Sequence, residues 1–160
     1  MMATCFQTLT LTTCASAQAT TPEQVRLVDD VISLHFDGQL HSDAVPPYAS
    51  ADARHVWRMA VVDVLLPTVT RRPFVVNVKA ALHALHGHAL VRISADGRTT
   101  SRQVLAGTEM KSADLTLRLH IRRSTQARDR LRLHLWTEAK ASADSGEAQA
   151  TVDAVDVLAR

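Results

Sequence analysis

Between Leu115 and Glu138 the chain reads L-T-L-R-L-H-I-R-R, then S-T-Q-A-R-D, then R-L-R-L-H-L-W-T-E. Apolar residues occupy every second position: Leu115, Leu117, Leu119 and Ile121, and again Leu131, Leu133 and Leu135. A period of two belongs to a strand with one buried and one exposed face, and no helical repeat fits it. If the two runs fold back with Ile121 opposite Leu131, all the leucines share one face. The other face then carries Thr116, Arg118, His120 and Arg122 opposite Trp136, His134, Arg132 and Arg130, with Arg123 and Arg128 at the turn. Like charges directly opposite on a ladder are unfavourable, so something must offset this stripe. The candidates are an anionic ligand, or the acids that follow in the chain: Asp144, Glu147, Asp153 and Asp156.

The same arithmetic applies to residues 74–95. With His86-Gly87 as a two-residue turn, Ala84 faces Ala89, Leu82 faces Val91, Ala80 faces Ile93 and Val78 faces Ala95, a wholly apolar face. Asp96-Gly97 is a second tight-turn signal before a strand near 99–105, where Arg102 sorts badly. His55 to Leu66 is apolar on both parities, as in a central strand covered on both sides, with Trp57 in the core and Pro67 as its stop. Residues 31–36 and 151–158 read as further strands, and residues 39–53 as a loop. Thr21-Pro22-Glu23 resembles a helix start, so residues 22–35 are open between a short N-terminal helix and a strand. The reading is one all-β domain, an antiparallel β-sandwich of Greek-key or immunoglobulin-like form. It has about seven strands and spans residues 20–160. The 160 residues suffice for a core without disulfide or metal staples; aromatics are only 4%, so that core is aliphatic.

Residues 1–19 contain no charged side chain. Ala17-Gln18-Ala19 has the small-x-small form of a signal-peptidase site, and a polar segment follows. The expectation is a cleaved leader and a periplasmic or secreted protein. The absence of Lys or Arg before the apolar stretch counts against it, and the opposing expectation is a disordered, threonine-rich cytosolic N-terminus. Cys14, with Leu11 three residues before it, is a lesser candidate for a lipid anchor. Cys5 and Cys14 are the only cysteines, so cleavage after Ala19 removes all thiol chemistry. No later apolar run is long enough to span a bilayer.

Net charge is +2, from 18 basic and 16 acidic residues, too small to argue for nucleic acid. The leading functional expectation is a non-enzymatic binding or assembly module without a cofactor. Its partner would be an acidic protein or an anionic envelope polymer on the face of Arg118, His120, Arg122, Arg130, Arg132, His134 and Trp136. Export would set nucleic acid aside; a cytosolic location would favour a nucleic-acid-binding β domain instead. A third class is a small hydrolase using His35, Asp37, His41, Asp43 and Asp52, although no nucleophile motif surrounds any candidate. His83, His86 and His88 are weak metal candidates, since surface histidines around a turn are the ordinary outcome and no fourth ligand is evident.

Overall fold

The leucines of the two alternating runs all face the core, with Leu115 only partly buried at its margin, but the strands that carry them are not partners. A computed structural model describes residues 9–13, 24–28 and 31–160. These form ten strands: β1 (Leu9–Thr13), β2 (Gln24–Val28), β3 (Val31–Ala44), β4 (His55–Thr70), β5 (Phe74–Leu85), β6 (Gly87–Ala95), β7 (Arg98–Ala106), β8 (Lys111–Ile121), β9 (Arg128–Ala141) and β10 (Glu147–Ala159). The fold is an antiparallel β-sandwich. One sheet has the order β1-β4-β9-β6-β7 and the other β2-β3-β10-β5-β8. From β3 onward the chain changes sheet at every connection except β6–β7, which is the double Greek key of a jelly roll.

This winding corrects both predicted hairpins. β8 pairs with β5, so that Ile121 lies opposite Phe74 and Leu117 opposite Val78. β9 lies in the other sheet between β4 and β6, with Leu135 opposite Ala60 and Ile93. β5 and β6 also belong to different sheets, and Ala89 pairs with Val104 and Ala139 rather than Ala84. Alternation decides which residues point inward; it carries no information on which of two facing sheets a strand joins. Leu117, Leu119 and Ile121 therefore meet Leu131, Leu133 and Leu135 in one core cluster, from opposite sides.

The turn at residue 86 shows how so short a link can cross the sandwich. His86 itself takes the positive φ, at 45°. Gly87 is required by crowding instead: a Cβ there would lie 2.6 Å from the Lys140 carbonyl oxygen. The Asp96-Gly97 turn is as expected, with φ of 53° and 71°, closing the β6–β7 hairpin at Ala95 and Arg98.

Three other expectations change. Residues 24–28 are strand rather than helix, and the expected strand at 31–36 continues to Ala44 through the first part of the expected loop; Ile32, Leu34 and Phe36 alternate into the core, and the β-branched pair Val31-Ile32 favours the extended form. β4 does not stop at Pro67. The pairing with β9 slips between Leu65 and Thr70, and the proline, which cannot donate to a ladder, sits in that irregularity. The strand count rises to ten because β1 and β2 add to both sheets. The expected cleavage site at residues 17–19 and Cys5 and Cys14 lie outside the described residues.

Candidate functional site: an arginine end and an aromatic face

Because β8 and β9 lie in different sheets, the predicted stripe is divided. Arg118 and His120 are on the outer face of the second sheet, and Arg130, Arg132, His134 and Trp136 on the outer face of the first. Only the turn-proximal members, Arg122, Arg123, Arg128 and Arg130, stay near one another.

Much of the stripe is already neutralised within the molecule, though not by the acids expected. Arg132 makes a two-pronged contact with Asp63 of β4, at 2.8 and 2.9 Å. The Arg132 guanidinium bonding to it holds the Asp63 carboxyl below its usual range, more than partial burial raises it. Arg118 donates to the Asn77 side chain at 3.2 Å. Of the acids that follow in the chain, Asp144 pairs with Arg54 at 3.3 Å and Glu147 with His83 at 3.0 Å. Asp156 accepts from Ser33 at 2.7 Å. Asp153 has its pKa pushed up by desolvation and then by the neighbouring Asp114.

Arg128 has a structural task. It pairs with Asp96 at 3.2 Å, donates to the carbonyls of Arg72 and Arg122 at 3.2 and 3.4 Å, and lies over the Phe74 ring at 5.3 Å. It thereby ties together three segments at one end of the sandwich. The Ser124 amide donates to the Arg71 carbonyl and the Arg160 amide to the Pro73 carbonyl, both at 3.0 Å. This end presents Arg71, Arg72, Arg122, Arg123 and Arg160, all exposed; Arg72 Nε donates to the Arg160 main-chain oxygen at 3.2 Å, and no acidic side chain pairs with any of the five among the described residues. Arg130 adjoins it and reaches only its exposed neighbour Asp129, at 3.4 Å. Sequence reasoning located Arg122, Arg123, Arg128 and Arg130 but missed Arg71, Arg72 and Arg160, which only the winding brings to them.

Trp57 is also corrected. It is not core: it lies half-buried on the outer face of the first sheet, stacked on Trp136 with ring centroids 4.5 Å apart and planes within 8°. The missed signal was parity, because Asp63 occupies the same face of β4 as Trp57. Trp136 Nε1 donates to Glu138 at 3.2 Å, and His55 Nε2 approaches the other oxygen of Glu138 at 3.1 Å.

The three metal candidates are dispersed. His83, on the second sheet, has both ring nitrogens engaged, by Ser112 at 2.8 Å and Glu147 at 3.0 Å. His88 is on the first sheet and His86 is in the crossing between them. The hydrolase candidates His41 and Asp43 stand on β3 rather than in a loop; His41 Nδ1 is hydrogen-bonded to Thr151 at 2.6 Å and its Nε2 lies 3.7 Å from Asp43.

No protein-family model matches the chain, and no characterised protein matches it by sequence. Among solved structures it is similar to TmCBM61 in complex with β-1,4-galactotriose, with 14% identity, 82% of this chain and 90% of that chain covered, and a TM-score of 0.41. It is also similar to the enzymatically active domain of tailspike protein 4 of bacteriophage CBA120, with 13% identity, 96% and 19% covered, and a TM-score of 0.35. A Stig cyclase from Fischerella sp. TAU matches with 9% identity, 86% and 80% covered, and a TM-score of 0.34. Among the described residues no helix is long and apolar enough to cross a membrane.

Proposed function

We propose that the protein is a non-enzymatic binding module of the bacterial envelope or secreted space, and that its partner is an anionic polymer docked at the arginine end. The observation that carries this reading is the convergence of Arg71, Arg72, Arg122, Arg123 and Arg160 from three separate segments, held by the Arg128 clamp. Arginine keeps its charge at every physiological pH and offers a planar fork to carboxylates and phosphates. Arg71, Arg72, Arg122 and Arg123 stand on two loops and Arg160 directly follows β10, with no aromatic residue among the five. Such a surface recognises charge density rather than the apolar pocket-filling groups typical of protein hot spots. A flexible polymer bearing carboxylate or phosphate groups therefore fits better than an acidic folded protein. The small-x-small form of residues 17–19 supports export. Removal of residues 1–19 would take β1 from the edge of its sheet and leave β3 to β10 complete.

The test uses protein recovered from fractionated native cells. Its intact mass is expected to begin at Thr20, in the envelope or medium fraction. Such protein is expected to bind polygalacturonate or inorganic polyphosphate, and Arg122→Glu with Arg123→Glu to weaken the preferred one at least about tenfold. Arg118→Glu, on the second sheet's outer face, serves as the comparison and is expected to weaken it less. Equal binding by the double variant and the parent contradicts the site; an uncleaved cytosolic chain that prefers nucleic acid contradicts both site and location.

A further inference from the structure

The chain contains two tryptophans, and its core is built without either. Both stand on the solvent side of the first sheet, diagonally placed on β4 and β9, where Trp57 pairs with Glu138 and Met59 with Trp136. An aromatic ring used only for packing is best placed on the inner face, where it loses all its contact with water. Here two large rings are stacked nearly parallel on the outer side of the sheet, each half-buried and each with one face turned from its partner.

We propose that the Trp57–Trp136 stack is a saccharide-binding platform, separate from the arginine end, that takes the C–H face of a neutral pyranose ring. The electron-rich face of an indole attracts the weakly positive C–H groups that line one side of such a ring, and each buries apolar area in doing so. The surroundings suit the hydroxyls at the ring's rim. Arg92 lies opposite Trp136 on β6, and Gln103 is opposite Leu90, which is itself opposite Glu138. The platform is also preset. Glu138 accepts from the Trp136 indole with one oxygen and from His55 with the other, so the orientation of the ring is set before any ligand arrives. Preorganisation of this kind reduces the ordering cost of binding.

A nucleobase would also stack on tryptophan, but single-strand binders follow the phosphates with a continuous row of cations. This face lacks one. Beside the platform the exposed cations Arg92 and Lys140 stand apart, on β6 and beyond Glu138 on β9, and in the other direction along β9 Arg132 is committed to Asp63. The arginine end begins at Arg128, eight residues from Trp136, about 27 Å along an extended strand. A ligand recognised by ring face and hydroxyls fits this arrangement better than one that needs a continuous row of cations.

The probes are cellohexaose, a xylo-oligosaccharide and a β-1,4-galactan, titrated while tryptophan fluorescence is recorded. At least one is expected to give a saturable shift that is insensitive to salt. Trp136→Ala and Trp57→Ala should each abolish that binding or weaken it at least about tenfold. Trp136→Phe should retain part of it, and Glu138→Gln should weaken it, with unfolding curves confirming that each variant is folded. Arg122→Glu with Arg123→Glu should leave it unchanged, so the two binding proposals fail separately. Absence of a saturable shift with all three probes, equal binding by folded Trp136→Ala, or a preference for oligothymidylate would overturn the proposal.

Discussion

Asp63 and Arg132 show how a single pair can change the reading of a charged face. Arg132 was one of the cations expected to meet a ligand; its two-pronged bond to Asp63 commits it to the protein itself. Asp63 was legible as an odd acid in an apolar run, and the parity it shares with Trp57 would have placed that tryptophan outside. Its partner was not legible, because β4 and β9 become neighbours only through the winding. The pair also gives the protein a pH-dependent element. Asp63 titrates below the unfolded value, so its contribution to stability is complete above the ordinary carboxylate range and is lost as the pH falls through the lowered value. Asp63→Asn should therefore unfold more readily than the parent at neutral pH. The difference should narrow towards zero in strong acid, as followed by thermal unfolding across pH. A difference that stays constant with pH would exclude the charge on Asp63 as its cause.

At the scale of strands, inward and outward assignments were largely readable and partners were not. Leu117, Leu119, Leu131, Leu133 and Leu135 of β8 and β9, and Val78, Ala80, Leu82, Ala84, Ala89, Val91, Ile93 and Ala95 of β5 and β6, point into the core as expected. Their pairing failed because local turn logic assumes that consecutive strands share a sheet, whereas here His86 and residues 122–127 carry the chain across the sandwich. Ser42 and Thr137 are the polar exception within the core, both fully buried. The Ser42 hydroxyl donates to the Thr137 carbonyl at 3.0 Å and receives the Thr137 hydroxyl at 2.7 Å, joining β3 of one sheet to β9 of the other. Ser42→Ala strands a buried hydroxyl and should cost about 1–3 kcal/mol. Adding Thr137→Val removes the orphan, so the double variant should be less destabilised than the sum of the two single changes. Additive losses in denaturant unfolding would show that the two hydroxyls do not act as a pair.

Across the whole molecule the net charge of +2 conceals a separation. One end gathers Arg71, Arg72, Arg122, Arg123 and Arg160. The other, where His86 bonds to Gly107 and Ser142, collects Asp52, Glu109, Asp144 and Glu147, with Arg54, Lys111 and Lys140 among them. Composition sums over the chain and could not show this; of these five arginines Arg122 and Arg123 were visible in a turn cluster, but the other three arrive from distant segments. A molecule polarised along its length orients in the field of a polyanion and presents one end first. The most direct test is the salt dependence of binding to whichever polyanion the native protein prefers. The parent's affinity should fall steeply as ionic strength rises past the point where the screening length drops below about 10 Å, and Arg122→Glu with Arg123→Glu should show a clearly shallower slope. An affinity indifferent to salt, or the same slope in both proteins, would contradict docking at the arginine end.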